Sequence, residues 1–209
     1  MPRPRTHDPD TALDAAESLA VRSGPAAVTI RAVAAATGIS NGALYHTFGS
    51  RAELLGRAWL RAAQRFHAVQ TELVDAHTGT SADDDPAAVD AVVAAAEAPV
   101  VFTERYPDSS RLLLTVSREQ LLGEELAAEV AAELQEADRA LVQLMVRLAR
   151  RLWGRGDRRA VDVLTTCLVD LPTAILLRRD RLADPLAREH LRAAVRAVLD
   201  VGPPDRPTR

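Results

Sequence analysis

Residues 29–51 read TIRAVAAATGISNGALYHTFGSR, and their spacing predicts two short helices joined by a tight turn. Thr29 has the hydroxyl oxygen that caps a first helix. Ile30, Val33, Ala34 and Thr37 recur at i, i+3, i+4 and i+7, so that helix has one small, mostly apolar face. The alanines at 32, 34, 35 and 36 allow close approach to a neighbour. Gly38 falls where the chain must turn, and glycine enters the left-handed region without steric penalty. Ile39 anchors the turn, and Ser40 caps the next helix. Leu44 and Phe48 lie four apart and share a buried face.

The other face of the second helix carries Asn41, Gly42, Ala43, Tyr45 and His46. A glycine inside a short helix costs about 1 kcal/mol against alanine, so stability does not explain Gly42; close approach to a surface does. Asn41 has the geometry to pair bidentately with adenine in a major groove, and Tyr45 and His46 can donate to phosphate oxygens. Ser50-Arg51-Ala52-Glu53 fits a capping box. A further helix therefore starts at Arg51, whose guanidinium and neighbouring first-turn amides make an anion site. Arg31 points the same way. Cap, turn glycine, cap and capping box in this order predict a DNA-reading helix-turn-helix with Thr29, Arg31, Ser40, Asn41, Gly42, Tyr45, His46 and Arg51 as its contact set.

Residues 10–60 resemble the N-terminal domain of TetR-family transcriptional regulators. The resemblance rests on Ala12-Leu13-Asp14-Ala15-Ala16, on Val28-Thr29-Ile30-Arg31, on Gly38-Ile39-Ser40 followed by Gly42-Ala43-Leu44-Tyr45-His46-Thr47-Phe48, and on Ser50-Arg51-Ala52-Glu53-Leu54-Leu55. It implies that Arg31, Asn41, Gly42, Tyr45, His46 and Arg51 occupy positions that usually touch DNA. The chain departs from the family pattern in having Asn41 and Arg51 where lysine is common, and Ala32 where an acid is common. The Asn41 change is expected to alter which bases are read. Beyond these fifty residues the likeness is architectural.

Composition is consistent with one end of the chain touching DNA. The 209 residues carry a formal net charge of −3, and every one of the 26 basic residues is arginine. Residues 1–65 hold eight arginines against five acids, whereas the remainder is acidic, so a mildly basic end precedes an acidic body. Cys167 is the only cysteine, which excludes an internal disulfide framework and a cysteine metal cluster. The first residues lack the apolar core of a signal peptide, and no uninterrupted apolar run approaches the roughly 20 residues of a membrane span. A reducing cytoplasm is expected, with nucleoid association when DNA is bound. Arg3 and Arg5 form a short basic arm, a candidate for a DNA groove.

No sustained strand alternation occurs, and the segments predict an all-α chain of about nine helices. The domains expected are a helix-turn-helix domain over 1–55, a helical ligand-binding and dimerisation domain over 56–201, and a disordered tail over 202–209. A helix from Arg51 runs to about Ala76, and Thr78–Asp85 forms a polar loop. Asp85-Pro86 starts a helix to about Arg105, with Pro99 as a kink. Asp108 caps a helix ending near Leu122, before Gly123. A long helix spans about Glu124 to Trp153, with Ala137, Leu141, Leu144, Leu148 and Leu152 as its stripe. Asp157 caps a helix carrying Leu164, Leu168, Leu171 and Ile175. Asp184-Pro185 starts the last, carrying Leu191, Ala194, Val195 and Val198.

The last two helices are apolar enough to need cover, either within one subunit or from the same pair of a second chain. Helix-turn-helix proteins read paired half-sites as two-fold dimers, and the TetR resemblance implies the same, so a homodimer through 157–200 is expected. The resemblance also implies a repressor released from a palindromic operator by a small-molecule effector held in the body. Phe102, Thr166, Cys167 and Asp170 are the candidate effector contacts. Thr165, Thr166 and Asp170 are polar residues in an apolar helix, suited to a ligand, to their own backbone, or, for Asp170, to a pair across a dimer seam. Cys167 reads equally as core packing. The histidines at 7, 46, 67, 77 and 190 have no metal-ligand spacing, and no glycine loop cradles a phosphate, so no metal, cofactor or enzymatic role is expected. A helical scaffold without DNA binding is the alternative.

Overall fold

The computed structural model describes residues 8–77, 85–117 and 128–205. The arm at Arg3 and Arg5, all but the last residue of the loop expected over Thr78–Asp85, and the helix boundaries expected at Leu122 and Glu124 lie outside them. Among the described residues the chain is all helical, with ten α-helices and a short 3-10 turn at Pro25–Ala27. They pack as two compact units, one made of Met1–Gln64 with Tyr106–Ala137, the other of Arg65–Arg105 with Asp138–Arg209. This division does not follow a single cut near residue 55.

In the first unit, α1 (Pro9–Ser23), α2 (Ile30–Thr37), α3 (Asn41–Phe48) and the first part of α4 (Arg51–Asp75) surround one core. Ala12, Leu13, Ala16, Ala20, Val33, Leu44, Phe48, Leu54 and Ala58 fill it. The small α1 side chains let the helices approach closely enough for Leu44 and Phe48 to seal the centre. The helix α7 (Pro107–Thr115) joins this core through Leu112 and Val116, and the Trp59 indole donates to the Val116 carbonyl at 2.9 Å. Residues 107–116 thus share the N-terminal core because their apolar side chains complete it. The cap expected at Asp108 falls instead at Tyr106, whose side chain makes no cap bond to the helix amides, because Pro107 rather than Asp108 opens the helix. The helix ends at Thr115, with Val116 as its C-cap. The first part of α8 (Ala128–Trp153) contributes Val130 and Leu134, packed on Leu60.

A buried carboxylate ties α1, α4 and α7 together. Glu17 is 2 % exposed and accepts from Arg61 at 2.7 Å and from the Ser109 hydroxyl at 2.6 Å. Arg61 also reaches Asp10 and Asp14. Burial works against the Arg61 charge, but the bond to Glu17 and the surrounding carboxylates outweigh it and hold the guanidinium firmly protonated.

In the second unit, α5 (Asp85–Ala96), α6 (Ala98–Arg105), the remainders of α4 and α8, α9 (Arg158–Leu177) and α10 (Pro185–Val201) enclose a second core. α5 and α6 meet at a 48° bend. The break falls at Glu97, two residues before the proline expected to cause it. Pro99 sits in the first turn of α6, where its missing N–H is tolerated. The carbonyl four residues before it, Ala95, receives the amide of buried Gln70 at 3.4 Å instead. Glu97 pairs with Arg188 and Arg192 of α10.

Asp157 caps α9, accepting from the Arg159 and Ala160 amides at 3.1 and 3.3 Å. α9 then widens into π-helical turns at Thr166–Asp170 and Thr173–Leu177, on either side of Pro172. A π turn takes up an extra residue, so burial moves from Leu164 and Leu168 to Leu176 rather than Ile175. Asp184 caps α10, whose buried row is Ala187, Leu191, Val195 and Leu199. The tail was expected to be disordered from 202. Its residues to 205 are instead held down, because Arg155 and Arg159 donate to the Pro204 and Asp205 carbonyls at 3.0 and 2.9 Å.

Candidate nucleic-acid interface

The turn between α2 and α3 is built from local bonds. Thr29 Oγ1 accepts from the Ala32 amide at 3.0 Å and Ser40 Oγ from the Ala43 amide at 3.2 Å. Gly38 takes φ 74°, ψ 4°, and its amide closes on the Ala34 carbonyl. The Thr37 hydroxyl donates to the Val33 carbonyl and accepts from the Ile39 amide, bridging the turn on its inner side. Ile30, Val33, Ile39, Leu44 and Phe48 are buried below. Each cap commits one backbone donor, and the buried row fixes the rotation of α3 about its axis.

That rotation sends the polar row outward. Thr29, Arg31, Ser40, Asn41, Gly42, Tyr45 and His46 are all exposed, and Tyr45 is a large aromatic left 57 % exposed. A Cβ at Gly42 would meet nothing within 4 Å. No neighbour inside the protein requires glycine there. On α3, Asn41 and Tyr45, and beside them Gly42 and His46, stand four residues apart and share one exposed face.

Arg51 differs. It is half-buried, and its Nε and Nη2 donate to the carbonyls of Val28 and Pro25 at 2.7 and 2.8 Å. The guanidinium therefore ties the start of α4 to the turn that leads into α2. The Ser50 half of the capping box forms, through Glu53 N to Ser50 Oγ at 3.0 Å, but Glu53 turns its carboxylate to Arg57. The sequence pattern located Arg51 without revealing these carbonyl partners, which lie 23 and 26 residues earlier.

The four effector candidates do not line one cavity. Phe102 is buried edge-on against Phe66, with ring centroids 5.3 Å apart. Cys167 is fully buried, and burial pushes its thiol up to about 12, as fits a core residue with no thiolate chemistry. The Thr166 hydroxyl donates to the Asp162 carbonyl of its own helix, and Asp170 is exposed. Thr166 borders an apolar groove of about 510 Å³ that also touches Val163, Val198 and Val201. A different cavity, of about 260 Å³, opens in the second unit between α4 and α8, lined by His67, Thr71, Ala140, Gln143, Leu144 and Arg147. The sequence carries a signal for it in polar residues one helical turn apart, at 67 and 71 and at 143 and 147, flanking the apolar stripe of α8. No group of three or more metal-ligating side chains occurs among the described residues.

An exposed, glycine-cleared helix held by two side-chain caps over a small apolar core defines a helix-turn-helix DNA-binding domain, here joined to a larger helical body. Residues 12–58 match the family described as "Bacterial regulatory proteins, tetR family", so this DNA-binding domain is similar to that of TetR-family transcriptional regulators. Solved structures share the whole fold. A protein of unknown function from Rhodococcus sp. RHA1 superposes with a TM-score of 0.69 at 20 % identity, covering 97 % of this chain and 100 % of its own. A TetR-like transcriptional regulator from the same source gives 0.63 at 18 %, covering 91 % and 94 %. A tetR-family regulatory protein from Rhodococcus RHA1 gives 0.62 at 20 %, covering 94 % and 98 %. No curated protein matches the chain.

Proposed function

We propose that this DNA-binding regulator is a homodimeric repressor that reads a palindromic operator and releases it when a small effector occupies the helical body. Residues 1–55 read DNA in this proposal, residues 56–201 dimerise and sense, and the protein works in the cytoplasm without catalysis. The observation that carries DNA reading is the outward row of Asn41, Tyr45 and His46 around a glycine that internal packing does not need. Asn41 is the base reader, Tyr45, His46 and Arg31 are phosphate contacts, and Arg51 supports the site from behind.

The dimer rests on α9. Over its most apolar stretch this helix has a mean hydropathy of 1.8 and is only one-third buried. By length and composition it could cross a bilayer, but Arg158, Arg159, Asp162 and Asp170 along it favour a protein partner over lipid. The same helix and α10 of a second copy would cover the groove at Val163 and Val198. Half-sites on one DNA face lie about 34–36 Å apart, so an effector that prefers a conformer with another spacing lowers operator affinity.

Selection of tight binders from a random duplex pool tests the reading. A palindromic consensus, bound with an affinity that falls steeply as salt rises, is the expected result. Binding that is absent, or indifferent to salt, would leave a helical scaffold as the better description.

A further inference from the structure

We propose that the cleft between the second half of α4 and α8 binds a small monocarboxylate with a short aliphatic body, held by Arg147, Thr71 and Gln143 with the His67 ring in its wall. This rests on the effector-sensing reading above and names the chemistry of the ligand. The cleft has a volume of about 260 Å³, just under the roughly 300 Å³ at which ordinary small-molecule pockets begin. At about 30 Å³ per water, that admits a ligand of about nine non-hydrogen atoms.

The lining decides the charge. None of its six residues is acidic, while Arg147 supplies a guanidinium fork, Thr71 a hydroxyl and Gln143 an amide. Arg147 is only loosely engaged, reaching Asp75 at 3.4 Å with both side chains about half exposed, and such a pair contributes little. A ligand carboxylate can take that guanidinium at small cost and gain two parallel bonds. His67 contributes part of its ring to the cleft wall, while its Nδ1 is turned away from solvent and has no hydrogen-bond partner. Burial, and then the Arg147 charge, hold this imidazole below its usual pKa, so Arg147 is the charged group of the cleft and the His67 ring beside it is a reporter of what binds there. Buried polar atoms without partners are rare. Ala140 and Leu144 supply the apolar wall for an alkyl chain.

The test is a titration of the intact protein with sodium hexanoate, followed through the His67 ring signals by NMR and assigned with His67→Asn. A saturable shift of those signals is expected, with affinity lowered roughly tenfold or more in Arg147→Gln, the loss of a charge-assisted bond. Thr71→Val, at a half-buried position, provides a second variant should Arg147→Gln melt early. Hexanol should not saturate, and phosphate should bind more weakly than hexanoate. A silent His67, an unaffected Arg147→Gln, or equal affinity for hexanol or phosphate would overturn the proposal. Binding of the selected duplex is measured in parallel. Hexanoate that binds without releasing DNA leaves the carboxylate site standing and sinks the effector reading, whereas release by hexanoate without any His67 response sinks the site alone.

Discussion

At the scale of single residues, Gly42 separates folding from function most cleanly. Nothing lies within 4 Å of a Cβ built there, and alanine is the better helix former by about 1 kcal/mol. Gly42→Ala should therefore raise the thermal midpoint, while its methyl group, pointing at the approaching duplex, weakens operator binding. Thermal melting and duplex anisotropy on the same preparation check this, and a variant that binds DNA unchanged would remove Gly42 from the contact set. Arg51 should behave in the opposite way. Its bonds to Pro25 and Val28 predict that Arg51→Ala loses about 2 kcal/mol of stability, together with affinity for every duplex alike. Asn41→Ala should instead keep stability and relax preference at one base pair of each half-site, which repeated selection would reveal. The sequence made Thr29, Gly38 and Ser40 legible because caps and turns are local chemistry, decided within four residues. It hid the partners of Arg51, and it hid Glu17 altogether, because a carboxylate on an amphipathic helix looks solvated until Arg61 and Ser109, 44 and 92 residues away, close over it.

At the scale of elements, the caps extend this lesson and give a pH dependence. Asp157 was readable as the start of α9, but the Arg155 fork that holds it, at 2.6 and 2.9 Å, was not. That fork, with the amides of Ala160 and Arg159, lowers the Asp157 carboxyl from 3.8 to about 2. Its folded-state pKa lies below the unfolded one, so its stabilisation is complete above about pH 4 and vanishes as pH falls through about 2. A carboxyl carbon titration should place the Asp157 midpoint near 2 in the wild type. In Arg155→Gln it should move back toward 3.8, and a midpoint that stays put would show that the amides alone set it. The interior of α9 shows what periodicity misses. Leu171 and Ile175 continue the 3.6-residue rhythm in the sequence, yet the wide turns around Pro172 rotate Leu176 into the core. Proline announces a disturbance without stating whether the helix will break, kink or widen. In α5 and α6 the same residue type was assigned the bend, which falls at Glu97 because Pro99 fits the first turn of a new helix and Gln70 reaches the carbonyl it leaves.

At the scale of the whole molecule, the two cores answer to different demands. The first is small, closed and crossed by a buried ion pair, so removing one partner strands the other. Glu17→Ala should cost about 3 kcal/mol, near the lower end for an uncompensated buried charge, because Arg61 keeps Asp10 and Asp14; chemical denaturation measures it. The second core leaves an apolar face uncovered, with Val163, Val198 and Val201 along one groove and Val201 86 % exposed. A patch of this kind, shared by α10 and by the one-third-buried α9, is costly to leave in water, and a second copy brings an identical patch to meet it. Sedimentation at micromolar protein should find a dimer. Val163→Arg sets like charges against each other across a two-fold contact and should yield a folded monomer with unchanged helicity. Each monomer keeps its recognition helix but loses the linkage that makes the second half-site an intramolecular event, so affinity for the full operator should fall by roughly 10²–10⁴, while affinity for a single half-site stays the same. That split between full-site and half-site binding separates loss of the dimer from damage to the DNA surface. A wild-type monomer that binds both duplexes equally would show that the apolar face of α9 and α10 serves some other purpose.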